Sequence, residues 1–310
     1  MKTEFINCDL CGSSNNTLLL QTRDYRYGNP KIFNVVKCKD CGLIYLNPRP
    51  IVKAILERYK KDYTPDEKMK SLKLPRKDLK WKKILRPLWY KISGEYGVSE
   101  FDIKGRFLDI GCGNGDTLEI AREMGAEVYG IELNPKSVKI CKDKGLNVYC
   151  GILEKTEYPD NYFDTIWMSQ VIEHLSSPKN SLKEIKRILK TGGKLYIFCP
   201  NAGSYLAKFF GKYWHGWHIP FHFYNFTKET LIKLAGKSGF KIEKLETTTP
   251  VNFFNVSLKS MLYAEKDKKP MERLKFTNSL ISRAAISSIF RILDFVFPGR
   301  GDCLKVILIK

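Results

Sequence analysis

Four cysteines near the start of the chain have the spacing of a metal site. Two residues separate Cys8 from Cys11 and Cys38 from Cys41, and a glycine follows each pair. This spacing lets both sulfurs of a tight turn face one ion, and four thiolates complete a tetrahedral shell. The sequence therefore predicts a Zn²⁺ site with a structural or binding role, because four protein ligands leave no coordination position open. Two coincidental, redox-active pairs are the alternative.

The residues around these cysteines predict a small β unit. The segment between the two pairs is long enough for a hairpin, with candidate strands at 17–22 and 33–37. We therefore expect a zinc ribbon over residues 1–50. The opening residues do not have the apolar core of a secretory signal, and nine cysteines without such a signal predict a reducing, cytoplasmic location.

A glycine-rich segment predicts a nucleotide-binding loop. Residues 107–115 read Phe-Leu-Asp-Ile-Gly-Cys-Gly-Asn-Gly, and apolar residues follow at helical spacing. A buried strand, a tight turn and a helix in this order open a doubly wound α/β domain. Glu132 ends the next predicted strand, where a carboxylate can accept hydrogen bonds from two ribose hydroxyls. NAD sites also use an acidic residue there, so these features alone do not distinguish an NAD site from a site for another cofactor that contains a ribose.

The rest of the loop favours a cationic ligand. Asp109 precedes the glycines, which are spaced G-x-G-x-G, and Asp116 stands where a dinucleotide site has its third glycine. A carboxylate there would repel a pyrophosphate. At this point the chain resembles the class I S-adenosylmethionine-dependent methyltransferases. The resemblance continues through residues 163–175 and 189–198, and it covers 103–248 plus a final strand at 303–309.

This resemblance implies an α/β fold with a seven-stranded, doubly wound (Rossmann-like) sheet in residues 103–310. The glycine turn would surround the methionine part of S-adenosyl-L-methionine, Glu132 would hold the ribose, and adenine would lie near residues 151–153. The implied cofactor residues are Asp109, Gly111, Cys112, Gly113, Asn114, Glu132, Leu133, Ile152, Leu153, Ser169 and Gln170. Relatives often have an acidic residue near the adenine where this chain has Ile152 and Leu153, so a backbone N–H would have to serve. Glu173 and His174 are expected to cap and orient the next helix.

A segment rich in histidine and aromatic residues, 214–227, is the candidate acceptor site. It follows the predicted fifth strand and should reach over the carboxyl ends of the strands, where ligands bind in such sheets. Three of the chain's four histidines lie here. We expect His222, and second His218, to act as a general base, with aromatic rings as apolar walls for a sugar ring or other acceptor. Zinc-ribbon-bearing relatives that methylate sugars or glycan intermediates have a similar His-x-Pro-x-His-x-x-x-Phe segment; a packing loop is the alternative.

Helical additions flank the predicted sheet. Residues 51–102 predict a basic connector of two helices, with apolar stripes at 51–59 and 81–89 and a lysine-rich stretch at 68–83. An insertion at about 250–302 contains a helix that is apolar over most of its circumference. Its narrow polar stripe consists of Arg283, Ser287, Arg291 and Asp294. Such a helix is buried or lies on a membrane or partner; we expect burial against the connector and hold membrane contact through 280–297 as the alternative.

Charge narrows the choice of acceptor. The formal net charge is +20, yet residues 101–200 contain 14 basic and 14 acidic side chains, so the excess lies in the flanks. We therefore expect methyl transfer to a hydroxyl, or a carbon, of a phosphorylated sugar, glycan or related anionic small molecule, at a protein that is cytoplasmic or peripheral to the inner membrane face. An RNA base methyltransferase and a non-catalytic cofactor-binding scaffold are the alternatives.

Overall fold

The chain forms two main sheets flanked by helices. The structure, a computed structural model, describes residues 2–25, 30–61, 96–263 and 280–310. Its strands are β1 (Thr3–Glu4), β2 (Asn16–Arg23), β3 (Ile32–Cys38), β4 (Ile44–Leu46), β5 (Arg49–Pro50), β6 (Arg106–Ile110), β7 (Glu127–Glu132), β8 (Asn147–Cys150), β9 (Phe163–Ser169), β10 (Leu189–Pro200), β11 (Tyr224–Asn225), β12 (Lys241–Thr248) and β13 (Cys303–Ile309). Its α-helices are α1 (Val52–Lys61), α2 (Asp116–Glu123), α3 (Pro135–Asp143), α4 (Pro178–Ile188), α5 (Tyr205–Phe210), α6 (Lys228–Lys237), α7 (Val251–Tyr263) and α8 (Leu280–Val296).

The large sheet has seven strands in the order β12-β13-β10-β9-β6-β7-β8. Strands β6 to β10 run parallel, and β13 lies antiparallel between β10 and β12. This confirms the predicted Rossmann-like sheet, including the antiparallel final strand. The order of the strands changes direction beside β6, so the glycine turn after β6 opens at the carboxyl edge of the sheet, where such folds bind ligands.

The N-terminal unit shares a sheet with the C-terminal part of the chain. Strands β2 and β3 confirm the predicted hairpin, and the four-stranded sheet has the order β11-β4-β3-β2. Tyr224 pairs with Tyr45 across the β11–β4 ladder. The buried side chains of the N-terminal unit and of the large sheet also form one continuous apolar cluster. Folding of the cysteine-bearing unit therefore holds the chain immediately after the histidine segment.

Helix α8 has its polar stripe turned inward. Arg283 and Ser287 are buried, and Arg291 donates hydrogen bonds to the Thr248 hydroxyl and the Thr249 carbonyl. Several of its apolar side chains instead face outward: Ile289, Ile292, Phe295 and Val296. The expected burial of the apolar circumference is therefore wrong for this face, because the polar stripe satisfies backbone groups after β12.

Only the two ends of the connector, 51–61 and 96–102, are described. Helix α1 confirms the helix predicted from the stripe at 51–59, whereas the second stripe at 81–89 and the lysine-rich stretch at 68–83 lie outside the described residues. Among the described helices, none has both the length and the apolar character needed to cross a bilayer.

Candidate cofactor and acceptor site

The glycine turn after β6 is held against the end of β7 and leaves room on one side. The backbone N–H groups of Gly111 and Cys112 both donate to the Ile131 carbonyl, at 2.8 and 3.1 Å. Gly113 has φ +53°, and a Cβ placed on it would find no heavy atom within 4 Å. A residue with a side chain would be strained in this conformation and would fill the space beside the turn. The loop therefore presents bare backbone to a ligand.

Glu132, at the end of β7, stabilises the turn from below. One carboxylate oxygen accepts from the Gly113 N–H at 2.9 Å and the other from the Asn134 N–H at 2.7 Å. A carboxylate oxygen has a second lone pair, so each can accept another hydrogen bond. The half-buried Glu132 therefore remains suited to the predicted ribose contact.

Asp109 is a buried carboxyl at the start of the turn. It is only 3% exposed, and burial together with the nearby Glu132 raises its pKa well above the usual range. Two acidic groups so close in a poorly solvated place favour a positively charged ligand, which lowers the cost of ionising them. This agrees with the cationic ligand predicted from the sequence.

The other predicted cofactor residues divide into two sets. Cys112 and Leu153 have buried side chains that belong to apolar clusters, so they offer only their backbone to the cleft. Those with partly exposed side chains are Asn114, Leu133 and Ile152. The main chain at Asn114 is itself tied down, because its carbonyl accepts from Lys144 at 2.6 Å.

Ser169 and Gln170 meet a residue that the sequence did not single out. Tyr96 stacks on Phe198 with the ring centroids 4.2 Å apart. Its hydroxyl lies 2.8 Å from the Gln170 amide nitrogen and 3.3 Å from the Ser169 hydroxyl. Burial raises the pKa of Tyr96 well above its usual range, so the hydroxyl stays neutral. Tyr96 thus shares the predicted cofactor lining, although no motif marks it.

The predicted acceptor segment brings three histidines into one cluster. His218 and His222 lie on a tight turn in which the His222 N–H donates to the His218 carbonyl. The third member of the cluster, His174, comes from the turn after β9, and its ring centroid lies 4.4 Å from that of His222. One ring nitrogen of each of the three lies within 4.8 Å of the others. The general-base roles of His222 and His218 stay predictions.

A buried carboxylate lies beside this histidine cluster. Glu173 is 1% exposed, and its Oε1 is 3.9 Å from His222 Nε2. Among the described residues neither of its oxygens has a hydrogen-bond partner, and burial raises its pKa to about 8. The expected capping role of Glu173 and His174 is wrong, because Ser177 caps helix α4 and the His174 ring is bonded to the Phe221 carbonyl.

Two of the aromatic side chains of the segment, Trp214 and Trp217, line a cavity with His215 and His218 as expected, whereas Phe221 and Phe223 do not line it. Trp214, Trp217, Phe221 and Phe223 are each at most 5% exposed and belong to the main apolar cluster. Trp214 is further fixed by a hydrogen bond from its indole N–H to Asp302. These rings position the histidines by packing behind them.

The four cysteines converge as predicted. The sulfurs of Cys8 and Cys41 are 3.4 Å apart, those of Cys11 and Cys38 are 3.6 Å apart, and all four lie within 4.8 Å of one another. Tetrahedral Zn²⁺ with bonds of about 2.3 Å separates its sulfurs by about 3.8 Å. Four thiols at this spacing fit that ion with small adjustments.

The central part of the chain is similar to a known protein family. A family model described as a methyltransferase domain matches residues 108–197. The chain is similar to that family over this segment. The segment contains the glycine turn, Glu132, Ser169, Gln170 and His174, and it ends in β10.

Curated relatives match about a third of the chain. An uncharacterized protein of Methanocaldococcus jannaschii is 32% identical over 107 residues, which are 34% of this chain and 50% of that protein. A ubiquinone biosynthesis O-methyltransferase of Xanthomonas oryzae pv. oryzae is 30% identical over 115 residues, 34% of this chain and 48% of that enzyme. The chain thus spans about half the length of these curated relatives. A solved S-adenosylmethionine-dependent methyltransferase from Archaeoglobus fulgidus is similar with a TM-score of 0.45 and 23% identity, covering 74% of this chain and 93% of that one.

Proposed function

We propose that the protein transfers a methyl group from S-adenosylmethionine to a small-molecule acceptor. The observation that carries this proposal is the open side of Gly113, flanked by the buried Asp109 and by Glu132 in a methyltransferase domain. The cofactor's sulfonium and ammonium charges suit the two carboxyl groups, and its ribose suits the free lone pairs of Glu132. Tyr96, Ser169 and Gln170 would contact the cofactor from the β9 side.

The acceptor would approach from the histidine cluster. Methyl transfer is an in-line displacement in which the acceptor oxygen bonds to the methyl carbon while the carbon–sulfur bond breaks. The electron pair of that bond returns to sulfur, and the acceptor proton leaves to the surroundings. Holding both reactants in line supplies much of the rate. His174, partly exposed, is the member of the cluster best placed to meet an acceptor.

A hydroxyl of a phosphorylated sugar, glycan or related anionic molecule is the acceptor class we favour. The chemistry in the name of the Xanthomonas relative is O-methylation of a small molecule. The excess of basic over acidic residues lies outside the neutral middle part of the chain, residues 101–200. Positively charged flanks raise the local concentration of an anionic acceptor without adding positive charge at the site of the cationic cofactor.

Zn²⁺ in the cysteine cluster would have a structural role in this proposal. All four donors would be thiolates, so no position remains for an acceptor. The ion would hold the N-terminal hairpins against β11 and thereby the turn that carries His218 and His222.

Contact with a membrane surface is a second part of the proposal. The outward face of α8 carries Phe295, 86% exposed, together with other apolar side chains. Large exposed apolar side chains on one helix face are typical of membrane or partner contact. A lipid-linked glycan would then be within reach of the enzyme.

Label transfer tests the acceptor class. The protein is incubated with S-adenosylmethionine carrying a labelled methyl group and with separate pools of sugar nucleotides, lipid-linked glycans and RNA. We expect label in one of the first two pools, and none with an Asp109→Asn variant. Label in RNA alone would overturn the acceptor assignment, and binding of the cofactor without transfer to any pool would favour a scaffold.

A further inference from the structure

The histidine cluster has the geometry of a metal site distinct from the cysteine cluster. His218 Nδ1 and His222 Nε2 are 3.3 Å apart, and one ring nitrogen from each of His174, His218 and His222 lies within 4.8 Å of the others. Nitrogen ligands at 2.0–2.1 Å from a tetrahedral ion are separated by about 3.3–3.4 Å. The nearest pair already has this separation, and the third ring needs only a small movement.

Two of the rings are oriented as metal-bound histidines are. His222 Nδ1 lies 2.7 Å from the Gly216 carbonyl, and His174 Nδ1 lies 3.0 Å from the Phe221 carbonyl. A carbonyl can only accept, so each of these Nδ1 atoms carries the proton. His222 Nε2 then accepts from His218 Nδ1–H, and an ion that binds both nitrogens would take the place of that shared proton. Ligating histidines usually donate their other ring N–H in this manner, which fixes the tautomer and orients the ring.

Glu173 supplies an independent observation that points to a cation. Its carboxylate is almost fully buried, and within the described part of the chain both oxygens lack a hydrogen-bond donor. A buried carboxylate left in this state is costly, and such groups are normally paired or bind metals. A divalent ion among the three imidazoles would lie close to Glu173, because Oε1 is 3.9 Å from His222 Nε2.

The backbone of the cluster is held in an uncommon conformation. His218 has φ +31°, a left-handed value that costs energy for a residue with a side chain. Strain of this kind is concentrated at functional sites, where surrounding structure holds it in place. The His218 ring lies 4.9 Å from the His222 ring between centroids.

We propose that His174, His218 and His222 bind a first-row divalent transition-metal ion, with Zn²⁺ as the reference ion and Glu173 balancing its charge. Three imidazoles leave one position of a tetrahedral ion for water or an acceptor oxygen, as in catalytic zinc sites. That role of the ion rests on the proposed function: a hydroxyl bound to the ion loses its proton to solvent more easily. In this arrangement the histidine lone pairs bind the ion, so His218 and His222 would not act as general bases for the acceptor proton.

The test is the metal content of the folded protein after equilibration with Zn²⁺ and removal of loosely bound ion. Wild type should hold one equivalent more than His222→Gln or His174→Gln. His215→Gln is the matched control, because His215 lies in the same segment and stacks on His218 but is not one of the three clustered ligands. This variant should match wild type.

Co²⁺ spectra separate the two metal sites and keep the test valid if a variant folds poorly. In wild type, ion in the cysteine cluster gives thiolate-to-metal charge-transfer bands, whereas ion in the histidine cluster adds only ligand-field bands. Loss of the second set alone in His174→Gln supports the proposal. Equal metal content in wild type, His174→Gln and His222→Gln would overturn it. Binding of S-adenosylmethionine, measured on the same samples, reports separately on the proposed function.

Discussion

Replacing Glu132 by glutamine changes one charge in the cofactor cleft and almost no volume. In the wild type both carboxylate oxygens accept backbone N–H groups, from Gly113 at 2.9 Å and from Asn134 at 2.7 Å. Glutamine has one carbonyl oxygen, and its amide N–H₂ would face one of these two donors. The variant therefore loses one hydrogen bond to a charged acceptor and places two donors against each other.

The size of the effect follows from that lost bond. A hydrogen bond to a charged group contributes ~1.5–3 kcal/mol, and each ~1.4 kcal/mol is a factor of ten in affinity. The bond shapes the loop that must meet the cofactor, and the same carboxylate is proposed to hold the ribose. We therefore expect the Kd for S-adenosylmethionine to rise roughly 10- to 150-fold.

Isothermal titration calorimetry with Glu132→Gln and Glu127→Gln measures this difference. Glu127 begins the same strand but is exposed and pairs with Arg106 at the surface, so its variant should bind the cofactor as wild type does. Equal affinity of Glu132→Gln and wild type would refute the ribose assignment. Equal weakening by both variants would show that the effect arises from strand β7 as a whole.

Three further predictions concern stability and membrane contact. Burial raises the pKa of Asp302 to about 7. The folded state therefore keeps a proton that the unfolded state loses between about pH 4 and 7. Across that range, denaturant titrations should show the unfolding free energy of wild type falling by roughly 4 kcal/mol relative to that of Asp302→Asn. Cys8→Ser should remove the part of the zinc-dependent rise of the thermal midpoint that comes from the cysteine cluster, roughly 5 °C at a Zn²⁺ concentration of about 100 times the Kd of that site, and leave the part that comes from the histidine cluster. Phe295→Asp should reduce co-sedimentation with vesicles that contain anionic lipid several-fold.

The outcomes that contradict these predictions are specific. A difference between wild type and Asp302→Asn that is constant from pH 4 to 8 would remove the raised pKa as an explanation. An unchanged response of Cys8→Ser to zinc would show that the ion binds elsewhere. Phe5→Asp is the matched control for the vesicle assay, since Phe5 is 82% exposed in the N-terminal unit. An equal loss in both phenylalanine variants would show nonspecific adsorption in place of docking through α8.

The strands and the glycine turn were predictable because their signals are local. An apolar run followed by Gly111 and Gly113 specifies a buried strand and a tight turn with little help from the rest of the chain. The four cysteines likewise needed only their spacing. The final strand at 303–309 was placed by resemblance, and the structure confirms it between β10 and β12.

The histidine cluster could not be assembled from the sequence alone. His174 and His222 are far apart in the chain and meet because the Phe223 N–H donates to the Glu173 carbonyl, directly before the β11–β4 pairing. The sequence around His174 contains no pattern that predicts this contact. Tyr96 was missed for the same reason, as its partners Ser169 and Gln170 come from another element.

Helix α8 shows why periodicity does not decide which face is buried. The polar stripe was read correctly, but the usual rule turns apolar residues inward. Here Arg291 and Asp294 bond to the chain after β12, so the stripe is the inner face and Phe295 lies outside. The partners that determine which face is buried, Thr248 and Thr249, precede the helix by more than thirty residues, so the periodicity of the helix sequence cannot reveal them.

The most direct test of the central claim is calorimetric titration of the wild-type protein and Asp109→Asn with S-adenosylmethionine. The account predicts one bound cofactor per wild-type chain and an affinity at least ~10-fold lower for the variant, because the buried carboxyl is a partner of the cofactor's positive charge. No binding to the folded wild type, or the same affinity in Asp109→Asn, would contradict it.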